Sequence, residues 1–149
     1  MKKIAYIILL LLAAVSCTKP TVTVKTVNGF YYGNELTVKT FCAFQTGTLY
    51  EFFEDSYSSR SNATSNPVLS VNRRSDGTDI AVKNLPTYGS LSLTLDAQGK
   101  LVKGPASVTN AAVLKFVIKD KAEGTWDVLL SMTMEDGTIV LFRYGGVIQ

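Results

Sequence analysis

The sequence predicts an all-β protein: an antiparallel meander of about eight to ten strands closing into a small barrel, with a β-sandwich as the alternative. Three observations predict it. From Thr21 onward apolar and polar residues alternate with a period of two, the pattern of a strand buried on one face. Turn-forming residues interrupt that alternation every 8 to 14 positions, the spacing of hairpin-linked strands. Helical periodicity is scarce, and only around residues 49–57 does it compete with the strand pattern. Half-apolar strands can bury their inner side only by closing on themselves or by stacking as two sheets. Sequential order favours the barrel, because a sandwich usually needs long crossovers.

The first expected strand, Thr21 to Val27, is rich in β-branched residues and ends at Asn28-Gly29, a strong two-residue hairpin signal. Glu35 to Phe44 alternates with Leu36, Val38, Thr40, Cys42 and Phe44 on one face, which makes Cys42 a small core residue. Leu49 to Tyr57 is assigned as a strand, although Leu49, Phe52, Phe53 and Tyr57 also fit one face of a helix. Further strands are expected at Val68 to Arg73, Asp79 to Leu85, Ser90 to Asp96, Val113 to Lys119, Thr125 to Glu135 and Thr138 to Val147. Ser75-Asp76-Gly77, Pro86 to Gly89, Asp96 to Gly99, Asp120 to Gly124 and Asp136-Gly137 supply the turn chemistry between them. Ser56 to Asn66 holds five serines and reads as a solvated, mobile loop that adds nothing to a core. Lys100 to Asn110, with Gly104-Pro105, reads as a second excursion with room for one short strand.

The amino-terminal residues belong to an export signal. Met1-Lys2-Lys3 precedes an apolar run of 12 residues from Ile4 to Val15, then Ser16-Cys17. A membrane-spanning helix needs roughly 20 residues, so the run is a leader and not an anchor. Ala13-Ala14-Val15-Ser16-Cys17 resembles the lipobox of bacterial lipoproteins, with Ala14 where leucine is usual. That resemblance implies cleavage before Cys17, a diacylglycerol thioether on its sulfur and an amide-linked acyl chain, more than stable anchoring requires. The expected organisation is therefore a signal peptide over 1–16, a lipidated tether over 17–20 and one β domain over 21–149. Cys42 is then the one thiol left, so no disulfide within the chain holds the fold.

Small bacterial lipoproteins with lipocalin-like, or calycin-like, domains are similar to this chain in length, signal type and strand count. The resemblance implies a barrel but no particular chemistry. It also implies residence in the cell envelope, most simply on the outer membrane, with the bilayer as a partner through the lipid on Cys17. Gly124-Thr125-Trp126 resembles the short Gly-x-Trp signature of lipocalins, here opening the penultimate strand. A two-residue turn at Asp136-Gly137 would pair Leu130 with Arg143 and Trp126 with Val147. Trp126 and Arg143 would then share a face roughly 13 Å apart, out of contact.

Composition excludes more than it selects. The chain has no histidine, which removes the commonest general base, the Ser-His-Asp triad and most zinc sites. Ser56, Ser58, Ser59 and Ser61 lack an evident activator, and no glycine-rich phosphate loop is present. Removing Lys2 and Lys3 leaves 13 basic against 12 acidic residues, a net of +1, so nucleic acid is not an expected partner. No cofactor or metal is expected either, since Asp76-Gly77-Thr78-Asp79 lacks the oxygen spacing of a calcium loop. The candidate ligand-binding residues are Arg143, whose guanidinium on an apolar face must be paired or wet, with Trp126, Tyr31 and Tyr32. Phe30 and Tyr50 lie near the same early turns, where core packing is the expected role and a glycan or protein contact the rival. The expected function is a non-enzymatic binding module for a small apolar ligand, a glycan or a partner protein. Its alternatives are an interaction lipoprotein filled by Met132, Met134, Phe116 and Leu93, and a hydrolase built on carboxylates among Glu51, Glu54, Asp55, Asp127 and Glu135.

Overall fold

The computed structural model describes residues 27–149, apart from the side chains of residues 110–113. The leader, the lipobox and Cys17, the tether and nearly all of the strand expected at Thr21 to Val27 lie outside the described residues. Eleven strands follow: β1 (Gly29–Tyr32), β2 (Glu35–Lys39), β3 (Cys42–Thr46), β4 (Leu49–Phe53), β5 (Leu69–Arg74) and β6 (Gly77–Leu85). After them come β7 (Gly89–Asp96), β8 (Leu101–Lys103), β9 (Val108–Asp120), β10 (Thr125–Met134) and β11 (Ile139–Val147). They form two antiparallel sheets, one of order β2-β1-β11-β10-β9 and one of order β3-β4-β5-β6-β7-β8. Within each sheet every pairing joins strands adjacent in sequence, except that β1 lies beside β11. Leu49 to Tyr57 is thus a strand in its first half, its alternation winning over the helical reading once β3 and β5 supply partners.

Two local expectations are corrected. The single strand expected from Glu35 to Phe44 is broken at Thr40-Phe41, where the chain leaves the first sheet and enters the second. Thr40 donates its backbone N–H to Asn28 and Phe41 donates to Phe53, so the corner is held from both sheets. Asn28-Gly29 is not a hairpin turn: Gly29 opens β1, and Gly33, with a φ of 65°, makes the turn into β2.

Ser56 to Asn66 is solvent-exposed over most of its length, as expected, yet it is held to the sheet at a few points. A short 3-10 turn at Arg60–Asn62 folds the segment back over the outer face of β3 and β4. There Tyr57 and Ala63 pack against a second apolar cluster of Cys42, Phe44 and Phe53. Arg60 clamps Glu51 through two hydrogen bonds of 2.6 and 3.2 Å, with its guanidinium 5.2 Å from the Phe53 ring centre. The Cys42 thiol donates to the Asp55 carbonyl and accepts the Tyr57 N–H. Aromatic and ionic contacts, not aliphatic ones, therefore pin a serine-rich loop.

The main core lies between the sheets and draws on both. Phe30, Phe52 and Phe142 meet at steep angles at its centre, Phe142 lying 4.8 Å from Phe30 and 5.0 Å from Phe52 between ring centres. Val71, Ile80, Leu93, Leu95, Leu130, Met132 and Met134 surround them with essentially no exposure. The chain closes near this core: Gln149 donates to the Ala43 carbonyl and accepts the Gln45 N–H, so the carboxyl-terminal residue bridges from β11 to β3.

Register fixes what lies at each end. Asn28 bonds Gly145 at the end that also holds the turns after β3, β5, β7 and β9, as the contacts of Tyr50 with Trp126 and of Arg73 with Phe116 place them; this is termed the tether end. The turns after β1, β6 and β10 lie at the far end.

Candidate functional site

Trp126 owes its place to the turn before it. Asp120 accepts the Glu123 N–H at 3.2 Å, Gly124 takes a left-handed φ of 72°, and a bulge between Thr125 and Trp126 re-aims the strand. Trp126 shares the inner face of β10 with Val128 and Leu130, but as the last residue of that row it is only half-buried. Its ring meets Tyr50 at 5.8 Å and Phe116 at 5.9 Å, edge to face. Arg73 roofs this trio, its guanidinium 4.5 Å from the Phe116 centre and 5.7 Å from that of Tyr50. Arg74, one residue on, points the other way and pairs with Asp76 and Asp79. Arg73 was not anticipated as a site residue; its odd place in the β5 alternation, one cation below Val71, was the available signal.

Arg143 sits differently from its sequence-based placement. The Asp136-Gly137 connection is one residue longer than a two-residue turn, with Met134 bonded to Thr138 and Gly137 at a φ of 87°. The extra residue slips the register, so Arg143 lies opposite Leu129 and not Leu130, and Trp126 lies opposite Gly146. A one-residue slip exchanges faces: Arg143 stands on the outer face and Trp126 on the inner one. There Arg143 donates to the Asn28 carboxamide oxygen at 2.9 Å, and Asn28 bonds the Gly145 backbone in both directions at 3.0 and 3.2 Å. The first role of Arg143 is thus to pin the incoming chain.

Opposite faces still meet at one place. Gly145 and Gly146 leave the end of β11 without side chains, so an open cleft of about 390 Å³ forms there. Lys119, Asp120, Thr125, Trp126 and Arg143 line it around the two glycines. The cleft presents one indole, two cations and one carboxylate to solvent.

Tyr31 and Tyr32 are not part of it. Tyr31 is buried and donates its phenol to the Val27 carbonyl at 2.7 Å. Tyr32 is half-buried at the far end, 6.4 Å from the ring of Tyr88. Burial, with the nearby Asp136 carboxylate, pushes the Tyr88 phenol up to about 12, while the Thr138 backbone N–H holds Asp136 below the usual carboxylate range. Phe30 and Tyr50 are core residues, as expected of them.

Geometry gives the carboxylates little chemistry. Glu51 is buried against Arg60 under the loop on one sheet, and Asp127 stands on the outer face of the other, opposite Gly145. Glu135 lies at the far end. Glycoside cleavage needs two carboxyl groups flanking one bond, and Glu51 and Asp127 face away from each other. Among the described residues no group of three metal-ligating side chains converges.

No protein-family model, curated protein or solved structure matches this chain.

Proposed function

We propose that this chain is an envelope-anchored lipoprotein, held by acyl chains on Cys17, whose domain is a small up-and-down barrel with a filled core. It acts as a non-enzymatic interaction module from its outer surface, at the tether end. The observation that carries this reading is the packing between the sheets: Phe30, Phe52, Phe142, Leu130, Met132 and Met134 occupy the space a barrel ligand would need. The described clefts instead open to solvent at strand ends or on outer faces. Strand order supports the barrel, since consecutive strands lie side by side and Gln149 links β11 to β3 across the sheets. The absence of histidine and the separation of Glu51 from Asp127 favour binding over catalysis. Cys17 after Ala13-Ala14-Val15-Ser16 supports the anchor.

The anchor is tested by growing producing cells with labelled palmitate. The wild-type chain should carry label and partition into the membrane fraction. A Cys17→Ala chain should carry none and keep its leader; label on that variant, or an unlabelled wild type, rejects the anchor.

A further inference from the structure

We infer that the tether end is itself a membrane-contacting surface, lying flat on the bilayer to which Cys17 is fixed. The inference rests on the anchoring proposed above. Seven large apolar side chains are exposed on the described residues: Val27, Phe41, Val102, Val117, Ile118, Ile139 and Val147. Four of them, Val27, Val117, Ile118 and Val147, gather at the tether end. They occupy the last rows of the sheet on both of its faces: Ile118 pairs with half-buried Trp126 on the inner face, while Val147, opposite Thr125, and Val117, opposite Asp127, stand on the outer one. Lys119 and Lys121 follow directly on the same strand and turn.

An indole, branched aliphatics and long lysines together suit a membrane interface. The indole sits at headgroup depth, the aliphatic groups reach the acyl boundary, and the lysine stems lie along apolar surface with their ammonium groups in water. Charge does not select the partner, because Lys119, Lys121 and Arg143 stand beside Asp120, Glu123 and Asp127. Apolar contact must supply the attraction.

The path of the chain names the occupant. Val27 is ten residues from Cys17, so the chain between them spans at most about 35 Å in any conformation. The Asn28–Arg143–Gly145 hydrogen bonds fix the position of residue 28, and with it the point to which Cys17 is linked, beside the patch. A short tether keeps the patch at high effective concentration next to the bilayer, so contacts too weak to bind a free protein suffice.

The chain has one tryptophan, which makes the patch its own probe. Full-length lipidated protein is reconstituted into phosphatidylethanolamine–phosphatidylglycerol vesicles with and without brominated acyl chains. Trp126 should lose emission in the brominated vesicles, equally in low and high salt. An Ile118→Asp, Val147→Asp double variant, altered only at exposed positions, should recover most of that emission while still floating with the vesicles. Unquenched emission from protein that floats would overturn the surface contact, leave the anchor standing and point to a protein partner. Protein that neither floats nor carries acyl mass would reject the anchor. Loss of the anchor would overturn the surface contact as well, because the patch needs the link to Cys17 to hold it beside the bilayer.

Discussion

Phe142→Ala should lower the unfolding free energy by about 3–5 kcal/mol, a large share of the roughly 5–15 kcal/mol that holds an ordinary domain. The ring has no solvent exposure and touches both sheets, meeting Phe30 beside it on β1 and Phe52 across the interior. Truncation removes the transfer energy of the ring and leaves a cavity. Rigid aromatic neighbours, Phe52 itself packed on Tyr144 at 5.3 Å, cannot collapse into it. Chemical denaturation of wild type and variant measures the difference. Phe41→Ala is the control: it removes an equal ring at an exposed corner and should cost well under about 1 kcal/mol.

The second large effect is expected at Gly29. Its φ of 146° is a conformation that side-chain-bearing residues rarely adopt, and a Cβ there would lie 2.0 Å from the Val38 carbonyl oxygen and 2.9 Å from the Lys39 Cα. Both obstacles are backbone, so neither can rotate aside. Gly29 also pairs with Lys39 on one side and Arg143 on the other, and displacing it disturbs two ladders at once. Gly29→Ala should therefore cost about 4 kcal/mol or more and reduce the yield of folded protein. Gly137→Ala provides the contrast: it has a left-handed φ of 87° but open space around it, and should cost about 1 kcal/mol. Equal costs in the two variants would mean that conformation, not the Val38 clash, decides the result.

How much of this was legible in the sequence depended on the range of the interactions involved. Period-two alternation located β5, β6, β7, β10 and β11 to within a few residues, because one face of each meets the core. Alternation says nothing about which sheet a strand joins, so Glu35 to Phe44 read as one strand although it turns a corner at Thr40. Gly29 was noticed for the wrong reason: it serves a close backbone approach, and the turn belongs to Gly33. Strand β1 was missed, since four residues are too few to establish a period.

The site was legible in its residues and not in its geometry. Trp126 and Arg143 were both selected, yet a single extra residue at Asp136-Gly137 moved them to opposite faces. What brings them to one cleft is the bare Gly145-Gly146 pair, whose meaning appears only when the neighbouring strands are in place. Arg60 over the Ser56–Asn66 loop is a similar case. Its partner Glu51 stands nine residues earlier on β4, and nothing in the local sequence shows that the loop folds back over that strand.

The central claim is that this domain fills its own interior and acts from outside while fixed by lipid. Native mass spectrometry of the detergent-released protein tests it most directly. The expected mass is that of residues 17–149 with covalent acyl groups on Cys17 and nothing else retained. A stoichiometric, non-covalently held apolar molecule would contradict the filled core, and an unmodified Cys17 would contradict the anchor.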